Sequence, residues 1–104
     1  MRKTLLYKKR IRNEEGREYL LCYSLVVHAA EGRRIYGVEV EKTDRLGWQE
    51  RELLYGISER KEEAQAFIGK LWKGSALPTE IAALYDDFIG EKEWQEERGM
   101  FAAC

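Results

Sequence analysis

Few side chains in this sequence could do chemistry, and they are scattered along it. There is a single histidine, His28, two cysteines, Cys22 and Cys104, and one acidic pair, Asp86 and Asp87. His28 could serve as a general base, but no nucleophile motif such as G-x-S-x-G accompanies it, which favours an ordinary strand-end histidine. Cys22 has apolar neighbours and no adjacent basic group, which favours an inert thiol. Adjacent helical residues do not face each other, so the two aspartates cannot share one ion and should face solvent.

Motifs for metals and cofactors are missing from the sequence. The cysteines form no C-x-x-C pair, and a single histidine cannot complete a zinc site. The glycines form neither G-x-x-x-x-G-K-[ST] nor G-x-G-x-x-G, the two patterns that hold phosphates of nucleotides. We therefore predict no cofactor, no metal and no catalytic role.

Composition indicates a globular domain with a heavily charged surface. The 104 residues are 44% apolar and 36% charged, and the net charge is −1, which gives no global attraction to nucleic acid or to an anionic membrane. The charge is uneven, because residues 1–12 carry six basic residues and no acidic one. The apolar run in that segment, Leu5 to Tyr7, is too short for a signal peptide or a membrane span. Two unpatterned thiols suit a reducing compartment, so we expect a cytoplasmic protein.

The first half of the chain has the alternating pattern of β-strands. We predict four strands, at residues 3–12, 17–28, 33–42 and 51–57, with turns at 13–16 and 29–32 and a polar loop at 43–50. Short strands that are joined by turns favour an antiparallel meander. The second strand is apolar on both faces, which indicates a central position.

The second half has the spacing of two amphipathic helices. Ser58 is the predicted N-cap of the first, Gly74 ends it, and Pro78 or Thr79 begins the second. Contact between two helices alone cannot offset the entropy of ordering them, so both should pack on one face of the sheet. The apolar side chains expected to be buried there are Phe67, Leu71, Leu84 and Phe88. The prediction is a single α+β domain over residues 1–90, a four-stranded antiparallel meander with two helices on one face, followed by a charged tail, 91–104.

Large apolar residues in otherwise charged segments are candidate anchors for a protein partner. Leu46 and Trp48 lie in the polar loop, and Trp94 and Phe101 lie in the tail. An alternative for the tail is a short helix in which Trp94 and Phe101, seven residues apart, fold back on the sheet.

Basic residues in the strands are candidates for nucleic-acid binding, with strand tyrosines available to stack on bases. The candidate cations are Lys8, Lys9, Arg10, Arg12, Arg33 and Arg34. Two observations weaken this hypothesis: the tyrosines share the inward parity of Leu and Val, and the helical half is acidic.

Four segments of the sequence together resemble a family of small Firmicutes proteins of unknown function. They are Tyr23–Val27, Tyr36–Val40, Tyr55–Ser58, and the stretch from Leu77-Pro78-Thr79-Glu80-Ile81 through Tyr85-Asp86-Asp87-Phe88-Ile89. The resemblance covers roughly residues 19–90 and implies a strand meander, a helix, and a short helix entered through proline. It also implies a bacterial origin, and it transfers no catalytic residue.

We therefore expect a small non-catalytic binding or regulatory module that acts through contacts with another protein, as a monomer or a weak homodimer. The alternatives are a nucleic-acid-binding protein that uses the basic first strand, or an inhibitor encoded by a mobile element, such as an anti-CRISPR protein.

Overall fold

A computed structural model describes residues 2–90, which form an antiparallel sheet with helices on one face. The strands are β1 (Arg2–Arg12), β2 (Glu18–Ala30), β3 (Arg33–Asp44) and β4 (Gln49–Ser58), and they lie in the sheet in chain order. Helix α1 spans Lys61–Lys73, a 3-10 turn spans Pro78–Glu80, and helix α2 covers residues 81–90. The predicted α+β meander with two following helices is confirmed. No helix in this part of the chain is long and apolar enough to cross a membrane.

The hydrophobic core lies between the sheet and the helices. Strand β2 is an inner strand, and every second side chain along it points into the core. Helix α1 contributes the apolar side chains that recur at helical spacing along one of its faces. Tyr23 at the middle of β2 is fully buried, and its hydroxyl donates a hydrogen bond to the carbonyl oxygen of Ala76 at 2.9 Å. Burial raises the pKa of Tyr23 to about 12. The core residues are Leu21, Tyr23, Leu25, Val38, Val40, Ala64, Phe67, Ile68, Leu71, Ala76 and Ile81.

Helix α2 packs less deeply than its stripe predicts. Ile81 is fully buried, and Phe88 is partly buried with its ring 5.3 Å from the ring of Phe67. Leu84, however, is 37% exposed, so the prediction that it is buried was wrong. It lies on the flank of the helix, in a surface groove whose other walls include Lys70 and Asp87. Helical spacing identifies one face of a helix, but it does not show how far the neighbouring element covers that face.

The link between β4 and α1 also differs from the prediction. Strand β4 continues to Ser58, and Arg60 occupies the N-cap position of α1. The Arg60 side chain makes no capping hydrogen bond to the first turn of the helix. The Ser58 hydroxyl accepts a hydrogen bond from the Arg60 amide at 2.9 Å and donates one to Glu63 at 2.8 Å. Ser58 therefore fixes the bend that precedes the helix and is not its N-cap.

A one-residue bulge in β1 decides which side chains of this strand face the helices. Leu5 pairs with Ser24 and Tyr7 pairs with Tyr23, so Leu6 is the extra residue. Beyond the bulge, Tyr7 faces the helices and stacks on Trp72, with ring centroids 4.9 Å apart. Residues 8, 10 and 12 consequently project from the opposite side of the sheet, which we call the open face.

A larger irregularity separates the two halves of β4. Val38 pairs with Leu54 and Tyr36 with Ser58, so residues 55–57 all lie opposite Gly37. A side chain at Gly37 would collide with the Leu54 carbonyl oxygen, because the β4 backbone passes directly over it. Only glycine therefore fits at this position of β3.

Candidate functional site

Two of the three turns of the meander lie at the same end of the sheet, which we call the turn end. The β1–β2 turn and the β3–β4 turn flank one cleft of about 510 Å³ there. Its walls are formed by Arg12, Gly16, Arg17, Glu18, Asp44, Arg45 and Leu46. The cleft thus brings together Leu46, a predicted protein-binding residue, and Arg12, a predicted nucleic-acid-binding residue.

The β3–β4 turn is much tighter than the predicted loop over residues 43–50. Thr43 still pairs with Gln49, and the Asp44 amide donates a hydrogen bond to the Trp48 carbonyl at 3.0 Å. The Asp44 carboxylate accepts hydrogen bonds from the amides of Leu46 and Trp48, both at 2.9 Å. Gly47 takes the positive φ of 87° that closes such a three-residue loop. The backbone of this turn is therefore held by its own hydrogen bonds.

The large apolar side chains of this turn are left in solvent. Leu46 is 94% exposed and Trp48 is 56% exposed. The ordered loop backbone and the exposed side chains together make a fixed apolar projection, which we call the Leu46–Trp48 turn.

Arginine side chains lie beside the Leu46–Trp48 turn. Glu18 bridges the two turns, because its carboxylate contacts Arg12 at 2.6 Å and Arg45 at 3.2 Å. The hydrogen bond from Arg12, followed by the charge of Arg45, holds the pKa of Glu18 below its ordinary value. Arg17 and Glu15, 3.8 Å apart, pair within the β1–β2 turn itself. The rim of the apolar projection is therefore the network of Arg12, Glu18 and Arg45.

The remaining basic candidates are distributed over both faces of the sheet. Lys9 faces the helices, where its ammonium donates to the Trp72 carbonyl at 2.6 Å and to Ser75 at 3.0 Å. It fastens the end of α1 to β1, so its charge is occupied within the protein. Lys8 and Arg10 are exposed along β1. The pair of Arg33 with Glu59, at 3.2 Å, lies towards the other end of the sheet.

Acidic residues interrupt the basic character of the open face. Glu39 is 4% exposed and lies between Lys3, at 3.6 Å, and Arg51, at 3.4 Å. Lys3 also contacts Glu41 at 2.7 Å. The hydrogen bond from Lys3 is the largest influence on Glu41 and lowers its pKa. The open face and β1 thus do not form one continuous basic surface.

The side chains that could act in catalysis or bind a metal do not come together in one site. The His28 and Tyr55 rings form a T-shaped pair, with centroids 5.7 Å apart and planes at 84°. Cys22 is partly exposed, and burial followed by the charge of Glu41 raises the pKa of its thiol. Asp86 and Asp87 are both exposed, as expected. Over residues 2–90, no group of three His, Cys, Asp or Glu side chains could hold a metal ion.

Two of the predicted anchors, Trp94 and Phe101, lie outside the described residues. Conversely, sequence reasoning did not select Asp44 or Arg45, although a signal was available. The segments Asn13-Glu14-Glu15-Gly16-Arg17 and Asp44-Arg45-Leu46-Gly47-Trp48 share the pattern Asx-x-x-Gly. Comparing them would have revealed a second tight turn and the role of Asp44 in it.

Comparison with family models matches residues 2–91 to DUF6514, a family of unknown function. This match spans most of the 104 residues, so the chain belongs to that family. No curated protein and no solved structure matches the sequence.

Proposed function

We propose that this member of the DUF6514 family is a small non-catalytic binding or regulatory module that binds another protein through the Leu46–Trp48 turn. The observation that carries the proposal is the exposure of Leu46, at 94%, and Trp48, at 56%, on a hydrogen-bonded loop. Neither side chain is needed to fill the core.

A rigid loop is a better binding element than a flexible one, because less conformational entropy is lost on association. Asp44 already fixes the amides of residues 46 and 48 before any partner arrives. Tryptophan and arginine are the residue types that most often dominate the energy of protein interfaces. Burying a leucine side chain fully contributes about 1.5–3 kcal/mol, and tryptophan adds a larger area.

The surroundings of the turn have the composition of an interface rim. Arg12, Arg45 and Glu18 form a network that stays partly exposed, with the arginine side chains 68% and 80% accessible. A polar rim around an apolar centre is the usual arrangement of protein–protein interfaces.

Nucleic-acid binding is the second candidate, supported by the alternation of Lys8, Arg10 and Arg12 on the open face of β1. The ion pairs of Glu39 and Glu41 beside them weaken that candidate, because they place negative charge in the path of a phosphate backbone. An inhibitor encoded by a mobile element, such as an anti-CRISPR protein, would also act by protein binding, and no residue favours it specifically. A Firmicutes origin, a cytoplasmic location and a monomeric or weakly dimeric state remain predictions.

The test places a photo-activated cross-linking amino acid, p-benzoylphenylalanine, at Leu46 in one variant and at Glu15 in another. Glu15 is the matched control, because it holds the corresponding position of the β1–β2 turn. After irradiation in the native host, we expect a discrete cross-linked protein from position 46 only, and excess unlabelled protein should compete for it.

Two other outcomes of the cross-linking experiment would contradict protein binding by the Leu46–Trp48 turn. A cross-linked product from position 46 that nuclease digests would favour the nucleic-acid candidate. The same diffuse pattern from positions 46 and 15 would refute a binding role for the Leu46–Trp48 turn.

A further inference from the structure

A second surface feature lies at the end of the sheet opposite the turn end, on the face that carries the helices. It is a groove of about 380 Å³ between β1, β2, β3 and the first residue of α1. The strand register explains its position, because Arg2, Val27, Tyr36 and Ser58 form one row across all four strands. The lining residues are Arg2, Thr4, Leu25, Val27, His28, Ala29, Arg34, Tyr36 and Lys61.

Three positively charged residues, Arg2, Arg34 and Lys61, converge on this groove from β1, β3 and α1. None of them forms an ion pair with a residue in the described part of the chain, and no Asp or Glu belongs to the lining. The nearby carboxylate of Glu59 is engaged by Arg33 at 3.2 Å.

Most other arginines of the described chain have an acidic partner. Arg12, Arg17, Arg33, Arg45, Arg51 and Arg60 each lie within 4 Å of a glutamate. Three unpartnered cations around one groove repel each other, and a bound anion would remove that repulsion.

We propose that this groove binds the phosphate group of a small phosphorylated molecule. Two guanidinium groups can each offer paired N–H donors to phosphate oxygens, and the Lys61 ammonium adds a third charge. Thr4 and Tyr36, which carry hydroxyl groups, also line the groove, and Val27 and Ala29 are apolar lining residues available to the body of the ligand. The volume lies in the usual range for small-molecule sites, so a small ligand fits better than a nucleic-acid strand.

The test is a titration of the ¹⁵N-labelled full chain, followed by two-dimensional NMR at low ionic strength. The probes are adenosine monophosphate, inorganic phosphate and adenosine. Both phosphate-containing probes should shift the amide signals of Val27, Ala29 and Tyr36, and added salt should weaken the effect. Adenosine should leave these signals in place. Equal shifts with adenosine, or shifts that concentrate at the turn end, would overturn the proposal.

Arg34→Glu and Arg10→Glu form a matched pair of variants. Both change the net charge equally, but Arg10 lies on the open face of β1 and is not part of the groove lining. Arg34→Glu should weaken binding of adenosine monophosphate about tenfold or more, because a charged hydrogen bond is lost and a repulsive charge is gained. Arg10→Glu should change it less than about twofold.

An equal loss in both variants would mean that the anion responds only to overall charge, and the site would not exist. Both arginines are exposed, so the variants should fold, and the dispersion of their NMR spectra checks this.

Discussion

The β1–β2 turn and the β3–β4 turn share one backbone design but carry opposite kinds of side chains. In each, the amide of the first residue donates to the carbonyl of the fifth, at 2.9 Å from Asn13 and 3.0 Å from Asp44. In each, a glycine at the fourth position has a positive φ, 81° for Gly16 and 87° for Gly47. The other positions differ, because the first turn carries Glu14 and Glu15 where the second carries Arg45 and Leu46.

The comparison separates what the fold requires from what it merely tolerates. An Asx residue and a glycine are sufficient to build this turn, since the first turn forms with polar residues at every other position. The apolar side chains of Leu46 and Trp48 therefore do not serve the fold, and exposing them to water has no structural benefit. We therefore expect a partner to bind the Leu46–Trp48 turn and not the β1–β2 turn.

The largest expected effect comes from making the second turn resemble the first. The triple variant Arg45→Glu, Leu46→Glu, Trp48→Arg copies the side chains of the β1–β2 turn. We expect it to bind the cross-linked partner about 100-fold more weakly or worse, because two anchors of at least about 1–2 kcal/mol each are lost. Isothermal titration calorimetry with the identified partner measures this.

The double variant Glu14→Arg, Glu15→Leu in the β1–β2 turn is its control and should keep the wild-type affinity, because neither residue lines the cleft. The triple variant should also keep its free energy of unfolding within about 1 kcal/mol, because the changed residues are exposed. Loss of folding in this variant would mean that the apolar residues do have a structural role.

Replacing the glycine of either turn by alanine should have a smaller effect, an equal loss of stability in both turns. Gly16→Ala and Gly47→Ala each place a side chain at positive φ and should lower the free energy of unfolding by about 1–2 kcal/mol. Urea denaturation followed by circular dichroism measures both. Values that differ by more than about 1 kcal/mol would contradict the shared backbone design.

Alanine substitution of the Asx residue should lower the free energy of unfolding slightly more in the β3–β4 turn than in the β1–β2 turn. Asp44→Ala removes a charged acceptor of two amides, whereas the neutral Asn13 side chain accepts from the Arg17 amide and donates to the Tyr19 hydroxyl at 3.2 Å; hydrogen bonds to charged groups are the stronger ones. We expect Asp44→Ala to cost about 1 kcal/mol and Asn13→Ala about half as much in unfolding free energy. Asp44→Ala should also weaken partner binding, since the loop is no longer fixed in advance. A variant with unchanged affinity would show that the rigidity of this turn does not matter.

The smallest effect concerns Glu18, which connects the turns. Its pKa is lowered in the folded state, chiefly by the hydrogen bond from Arg12. This contribution is therefore present above the ordinary pKa of 4.5 and is lost as the pH falls through the lower folded value. Glu18→Gln should make stability depend less on pH as the pH falls from about 4.5 through the lower folded value, measured by thermal melts from pH 7 to 3. Glu14→Gln, at a carboxylate with no described ion pair, is the control and should leave the profile unchanged.

The strands and α1 were predictable because their periodicities are strong. The second strand, predicted over 17–28, is observed as Glu18–Ala30, and the buried stripe of α1 contains Phe67 and Leu71 as expected. The loop over 43–50 was predicted too long, because its polar residues continue the ladder up to Thr43 and Gln49. Polarity alone does not distinguish an exposed strand end from a loop.

The candidate site was predictable only in part. The exposure of Leu46 and Trp48 follows from their charged surroundings in the sequence, while their binding role stays a prediction. Strand alternation places Lys8 and Lys9 on opposite faces, but which of them faces the helices was not predictable, because it depends on the bulge at Leu6. A bulge reverses the facing of every later residue in a strand and has no reliable sequence signal when no glycine marks it.

The irregular backbones of β1 and β4 have a consequence for the behaviour of the protein at high concentration. Among the strands of residues 2–90 these two lie at the edges of the sheet, and an edge with a regular backbone can recruit strands from other molecules. The extra residue at Leu6 and the three residues opposite Gly37 break both edges, and β1 also carries lysine and arginine along its length. We therefore expect the protein to resist fibril formation even when it is abundant, so that contacts between molecules are made by side chains and not by backbone pairing.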